Sequence, residues 1–152
     1  MNNKFSPKDY YCVYNDFDTS KRSKELYNLY LPLLGNDAIS LYTFFGSKML
    51  SDKNLSKNYL HYDILDNLAL SNHKFILARK KLEAMGLIQS FYIDNAGVGQ
   101  FVYKIKEALD FTTFFNTPVL AQLLENTLGS REYKEIVNYY SFDKVSFRSF
   151  EE

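Results

Sequence analysis

The sequence predicts a mainly α domain with a small β-hairpin, and three observations carry that expectation. The first is an apolar run with helical spacing from Leu29 to Phe45, interrupted at Pro32 and Gly35. The second is a basic helical segment, Asn72 to Met85, that ends at Gly86. The third is the pair of β-patterned stretches that follows at once, joined by Asn95-Ala96-Gly97-Val98-Gly99. Short helices, a turn, a basic helix and a hairpin, in that order, make a winged helix-turn-helix, here with additional N- and C-terminal elements.

Each element has a local reason. In residues 1–19, Tyr10, Tyr11, Val13, Tyr14 and Phe17 lack helical spacing, which predicts an extended arm with a strand near Asp9 to Asn15. Thr19 or Ser20 can cap a helix running to about Leu31, with Leu26, Leu29, Tyr30 and Leu33 as its core stripe. Pro32 is expected to close it, because the residue before a proline avoids the helical region. Leu34-Gly35-Asn36-Asp37 reads as a tight turn. Asn36 is the expected N-cap of the next helix, and Asp37 suits the positive end of its dipole.

That helix is expected to reach about Leu50. It is apolar on two faces: Ile39, Tyr42, Phe45 and Met49 form one, Leu41 and Phe44 the other. Such a helix is central or lies at an interface. Ser51 to Asn58 reads as a polar loop, and Tyr59 to Ala69 as a short helix. Ser71 can cap the basic helix, whose inward stripe is Phe75, Ala78, Leu82 and Met85, and Gly86 takes the position after a helix end that favours glycine. Leu87 to Asp94 and Gln100 to Lys106 are the hairpin strands.

Beyond the hairpin, Phe111, Phe114 and Phe115 form an aromatic knot. Thr117 and Pro118 open a helix with Leu120, Leu123, Leu124 and Leu128 as its stripe. Gly129 breaks it. Ser130 starts a last helix with Tyr133, Ile136, Val137 and Tyr140 on one side, and residues 143–152 read as the start of a linker.

Composition narrows the function classes. A length of 152 residues points to one domain, and 46% hydrophobic residues supports a packed core over disorder. Cys12 is the only cysteine, so an internal disulfide framework and a Cys-rich zinc site are excluded, and a reducing, cytoplasmic setting fits. No apolar run approaches the about 20 residues of a membrane span, and the N-terminus lacks the apolar stretch of a signal peptide. Eighteen basic residues balance eighteen acidic ones, so any DNA affinity must come from a local patch. Thirteen Tyr and thirteen Phe suit half-buried interfaces, although AT-rich coding would favour the same residues.

With Phe75 and Leu82 turned inward, the basic helix presents His73, Leu77, Lys80, Lys81 and Ala84, with Lys74 and Arg79 at the borders. Lys74, Arg79, Lys80, Lys81 and His73 are therefore the candidate DNA-binding residues, since cations on a recognition helix contact phosphates. Two details point the other way. Leu77 sits mid-face, where a base-reading helix would carry Arg, Asn, Gln or Ser. The wing turn offers no Lys or Arg. A solvated or protein-facing surface, weak DNA contact and sequence-specific readout all stay open.

No metal, cofactor or catalysis is expected. His61 and His73 lack ligand spacing and read as surface histidines. Gly97-Val98-Gly99 lacks the third glycine of a dinucleotide loop and lies in a hairpin. There is no phosphate-binding loop and no suggestive pair of carboxylates.

Three segments together resemble the N-terminal domain of the Gram-positive primosomal helicase-loader family of the DnaB/DnaD type, the replication initiation and membrane attachment proteins, which are distinct from the replicative helicase. They are LYLPLLGNDAISLYTFF from Leu29, FILARKKLEAMGLIQSFY from Phe75 and FTTFFNTPVLAQLLENTLGSREYKEIVNYYSF from Phe111, and the resemblance covers residues 20–142. It implies a scaffold that self-associates to dimers or tetramers and binds DNA weakly and non-specifically alongside other primosome proteins. Contact with the replicative helicase would lie in a separate C-terminal domain, which makes this chain look like an N-terminal fragment. It also implies a cytoplasmic, nucleoid-associated protein, with peripheral membrane association a question for the full-length protein.

The surplus of apolar surface agrees with self-association. The expected oligomer or partner interface comprises Tyr11 and Tyr14 of the arm, Leu41 and Phe44 of the two-faced helix, Leu77, and Tyr133 and Tyr140 of the last helix. Multivalency would strengthen weak DNA contacts. The alternative is a transcription regulator on a specific operator, which the Leu77-bearing face and the neutral charge argue against.

Overall fold

A four-stranded sheet in the order β2-β1-β4-β3 forms one wall of the protein. β1 (Tyr10–Tyr14) lies between β2 (Tyr59–Leu60), to which it is antiparallel, and β4 (Val98–Ile105), to which it is parallel. β3 (Ile88–Asn95) pairs antiparallel with β4 and forms the wing with it. The computed structural model describes residues 5–50 and 53–151, with side chains, Asn95 excepted, to residue 140. The first four residues of the expected arm, Ser51 and Asp52 of the polar loop, and Glu152 lie outside the described residues.

Strand alternation sorts the side chains. Tyr11, Val13, Phe101, Tyr103 and Ile105 are buried on the inner face of the sheet. The rest of the arm is less free than its sequence suggests, because β1 is an interior strand.

The first helix departs from expectation in a useful way. We call residues 19–34 α1; it begins as a 3₁₀ turn, Thr19–Arg22, capped by Asp18, whose carboxylate accepts the Ser20 N–H at 3.0 Å. It continues through Ser23–Glu25, widens into a π turn at Leu26–Tyr30 and closes with Leu31–Leu34. Pro32 therefore does not end it. A proline lacks an N–H and crowds the carbonyl four residues back; the wider π turn just ahead absorbs both defects. The stop comes at Gly35, whose φ of +86° suits glycine and lets the chain reverse into α2 (Asn36–Ser47). Gly35 occupies the cap position, so Asn36 opens the first turn and does not cap it.

Most of the apolar surface of α2 is consumed inside the fold, with Phe44 left half-buried. Ala38, Ile39, Leu41, Tyr42 and Phe45 are all buried, and α2 packs on α1, on β4 and on the helices that follow β2. Those are α3 (His61–Leu68) and α4 (Asn72–Ala84). The Tyr42 hydroxyl donates to the Lys106 carbonyl at 2.6 Å, and the Leu109 N–H donates to the Tyr30 hydroxyl at 3.1 Å, so two core tyrosines fix the chain leaving β4. After it come α5 (Phe111–Phe115), α6 (Pro118–Leu128) and α7 (Ser130–Glu151). The aromatic knot joins them: Phe114 meets Tyr30 edge-on, Phe115 meets Tyr133, and Phe111 stacks on Tyr140. The backbone of α7 stays helical to Glu151, across the residues expected to begin a linker at 143.

One buried polar column crosses the core. His61, expected at the surface, is fully buried. Its Nδ1 lies 2.7 Å from the Asp9 carbonyl and its Nε2 lies 2.6 Å from the Tyr103 hydroxyl. A carbonyl only accepts, so Nδ1 carries the proton and Nε2 accepts from Tyr103. Burial pushes the Tyr103 phenol up, and the neighbouring Arg79 guanidinium pulls it partly back. Arg79 is itself only 1% exposed and lies between the Phe75 and Phe101 rings, 5.8 and 5.7 Å from their centroids.

Burial pushes the His61 imidazole down to about 4, against an ordinary value of 6.5; Arg79 adds to the shift and Asp9 opposes it. Between those values the unfolded chain binds a proton that the folded one refuses. The stability carried by neutral His61 is thus complete above about pH 6.5 and is lost as pH falls toward 4, by about 3 kcal/mol at most. Urea unfolding from pH 7 to 4.5 is expected to show this decline, and His61→Gln is expected to flatten it. A His61→Gln profile as steep as the parent's would remove His61 as the cause.

Candidate nucleic-acid and partner interface

The helix-turn-helix is α3, a turn through Ala69, Leu70 and Ser71, and α4. Ala69 takes the left-handed conformation at φ +52°, which ends α3. Leu70 is buried in the turn. The Ser71 hydroxyl accepts the Lys74 N–H at 3.2 Å, capping α4 as its sequence predicts. Phe75, Ala78 and Leu82 then anchor α4 to the core, and Met85 is half-buried. The turn sets where α4 starts, and the stripe sets which face looks outward.

That outward face carries His73, Lys74, Leu77, Lys80, Lys81 and Ala84, all exposed. Leu77 is 44% exposed in its midst. Among the described residues none of the three lysines forms an ion pair; Lys81 reaches back 3.4 Å to the Leu34 carbonyl. Arg79 is the correction. It turns into the column with Tyr103, is 1% exposed, and has no route to a phosphate. A helical wheel put it at the border of the face, and the Phe75 and Phe101 rings drew that border residue inward.

The expected interface residues divide three ways. Tyr11 and Leu41 are core residues with no exposed surface. The Tyr11 hydroxyl donates to Asp63 at 2.6 Å, and burial together with that carboxylate pushes its phenol up. Leu41 is covered because α2 is central. Tyr14, Phe44, Tyr133 and Tyr140 are half-buried. Lys48 lies 4.4 Å from the Phe44 and Tyr59 ring centroids and pairs with Asp63 at 2.9 Å, while Lys104 lies over Tyr14. Tyr133 and Tyr140 lean on Phe115 and Phe111. Only Leu77 is broadly exposed.

The wing carries exposed apolar side chains that its local pattern did not single out as an interface. Phe91, Tyr92, Ile93 and Val98 are 44, 40, 54 and 52% exposed. The available signal was the run Phe91-Tyr92-Ile93, which lacks the polar alternation of a half-buried strand.

An open groove of about 670 Å³ lies between α1 and α7, lined by Tyr27, Pro32, Leu128, Glu132, Ile136 and Tyr139 among others. Among the described residues no three His, Cys, Asp or Glu side chains cluster as metal ligands, and no helix is long and apolar enough to cross a membrane.

A helix-turn-helix followed directly by a two-stranded wing defines a winged-helix domain. The DnaB N-terminal winged helix domain family matches residues 5–149, and the chain belongs to that family. The match takes in the arm strand and most of α7, more than the resemblance in the three sequence segments covers. The chain is 29% identical over 147 residues to the replicative helicase loading/DNA remodeling protein DnaB of Staphylococcus aureus, covering 96% of this chain and 32% of that protein. It thus spans about a third of the length of that relative. The crystal structure of primosome protein DnaB (residues 1–300) from Geobacillus stearothermophilus has the same fold, with a TM-score of 0.80 over 90% of this chain and 52% of that one, at 22% identity.

The corrected burial has a direct check. Leu41→Ala is expected to cost about 2–5 kcal/mol in urea unfolding, as a cavity in the core, and Leu77→Ala to stay within about 0.5 kcal/mol of the parent. Ser71→Ala is expected to cost about 1 kcal/mol through the lost cap.

Proposed function

We propose that this chain is a non-catalytic scaffold domain of a DNA replication initiation and restart protein, a helicase loader, that self-associates and binds DNA weakly and without sequence preference. The observation that carries the DNA part is the outward face of α4, where Lys74, Lys80 and Lys81 surround Leu77 and form no ion pair among the described residues. Three lysines can neutralise phosphates. A leucine at the centre offers no hydrogen bonds to base edges, and a wing turn without Lys or Arg adds no cation at the wing tip.

Family membership and the helicase-loading relative support the replication setting. In this reading the protein works by holding partners together, in the cytoplasm and at the nucleoid. Contacts with the replicative helicase, and any peripheral attachment to membrane, belong to the part of the longer relative that this chain does not span. The half-buried aromatic surface of Tyr14, Phe44, Tyr133 and Tyr140, with Leu77, supports contact with other primosome proteins or with further copies.

Fluorescence anisotropy on random-sequence duplexes tests the DNA part. The parent is expected to bind with strong salt dependence and little preference between duplexes. Changing Lys74, Lys80 and Lys81 to Gln is expected to abolish binding at moderate salt and to reduce the salt slope by up to about 2.7 for three phosphate contacts. Unchanged binding would remove α4 as the DNA surface. Light scattering at micromolar concentration is expected to give a dimer or larger, and a monomer mass of 17.8 kDa would end the self-association reading.

A further inference from the structure

We propose that the wing is a dimerisation strand: the free edge of β3 pairs with β3 of a second copy and continues the sheet across a two-fold axis. This rests on the self-association proposed above and names its surface.

The two edges of the sheet are unlike. β2 is only two residues long, which blunts that edge. β3 is eight residues long and, among the described residues, has β4 on one side only. Its register with β4 runs without a bulge from Ile88↔Ile105 to Asn95↔Val98. Edge strands resist unwanted pairing with lysines, prolines, bulges or cover from a neighbouring element. Ile88–Asn95 contains no Lys, Arg or Pro, and its one charge is Asp94 near the tip. Phe91, Tyr92 and Ile93 are consecutive, so they point to alternate faces, yet all three are 40% exposed or more.

Inward of that edge the outer face of the sheet is mixed, with Tyr10 exposed, Cys12 buried and Gln100 polar. In register, Phe91 neighbours Val102 and then Cys12, and Ile93 neighbours Gln100 and then Tyr10. This outer face opposes the one that holds Tyr11, Phe101 and Tyr103 in the core.

The chemistry selects the occupant. An unpaired strand edge presents a row of N–H and C=O groups that another strand satisfies. Nucleic acid does not suit it, since the strand carries no cation for a phosphate. The same edge on a second copy does: antiparallel pairing about a two-fold axis sets each apolar edge residue opposite another. Eighteen basic and eighteen acidic residues leave no net charge to hold two copies apart. Pairing of this extent lies at the small end of interfaces, so dissociation in the micromolar range is expected.

Cysteine scanning of the edge tests this in the full chain. In a Cys12→Ser background, Phe91→Cys, Tyr92→Cys and Ile93→Cys are oxidised under mild conditions, with Leu77→Cys on α4 as comparator. A two-fold axis through paired strands sets one residue opposite its own copy, with Cα atoms about 4.5–5.5 Å apart, within disulfide reach. Cross-linked dimer is expected to peak at one of the three edge positions and to form about tenfold faster there than at Leu77. Phe91→Lys and Ile93→Lys, which place like charges on the paired edges, are each expected to weaken the dimer about tenfold or more by sedimentation. Their thermal midpoints report folding, and the more exposed Ile93 carries the test if Phe91→Lys unfolds. A dimer that survives both lysine variants, or that cross-links at Leu77 instead, overturns this inference and leaves self-association standing. A monomer at every concentration overturns both.

Discussion

The fold depends on a hydrogen-bonded column from the Tyr103 hydroxyl through His61 to the Asp9 carbonyl, with the buried Arg79 cation against Tyr103. Its members come from the approach to β1, the start of α3, the middle of α4 and the interior of β4. Apolar packing alone would hold these elements loosely in register, because side chains of similar volume can slide. A neutral imidazole with both nitrogens satisfied cannot slide without leaving a buried polar group unpaired, at a cost of about 1–3 kcal/mol. The rings of Phe5, Phe75, Phe101 and Tyr103 enclose it, with centroids 5.0–5.7 Å away, and keep it dry. The column therefore sets how the arm, the recognition helix and the wing lie relative to one another, and with them the direction in which Lys74, Lys80 and Lys81 point.

Around that column α2 acts as the axle. Most of its apolar surface is spent within one chain, on α1, α4 and β4, and Phe44 is left half-buried at its edge. Exposed apolar area is then found on Leu77, along the wing, and on Tyr27 and Tyr139 beside the α1–α7 groove. The two surface features lie on different elements: the exposed lysines are on α4, and the open backbone edge is on β3.

Much of this order was legible in the sequence. Ser71 as a cap, the Phe75–Ala78–Leu82 stripe, Gly86 and the hairpin all follow from patterns within a few residues, and the winged helix follows from their succession. What was not legible depends on residues far apart in the chain. His61 looked like a surface residue because its partners Asp9 and Tyr103 are 52 and 42 positions away. Arg79 looked like a phosphate contact because nothing nearby in sequence announces Phe101 or Tyr103. Pro32 looked like a stop because a local rule takes no account of the π turn that accommodates it. The interface reading failed at Tyr11 and Leu41 for the same reason: a surplus of apolar residues does not say which of them the fold itself will consume.

The place of β1 has a consequence for how the chain is made. Tyr10 to Tyr14 lie side by side with Gln100 to Lys104, ninety positions further on. During synthesis the aromatic arm emerges before the helix-turn-helix, and its parallel neighbour only after it. Contacts of such sequence separation form slowly, because a long loop must close before they contribute. Until then Tyr10 and Tyr11 have only the two-residue β2 to pair with. The joining of β1 to β4 thus completes the sheet, and changes to the residues just ahead of β1 act on that step.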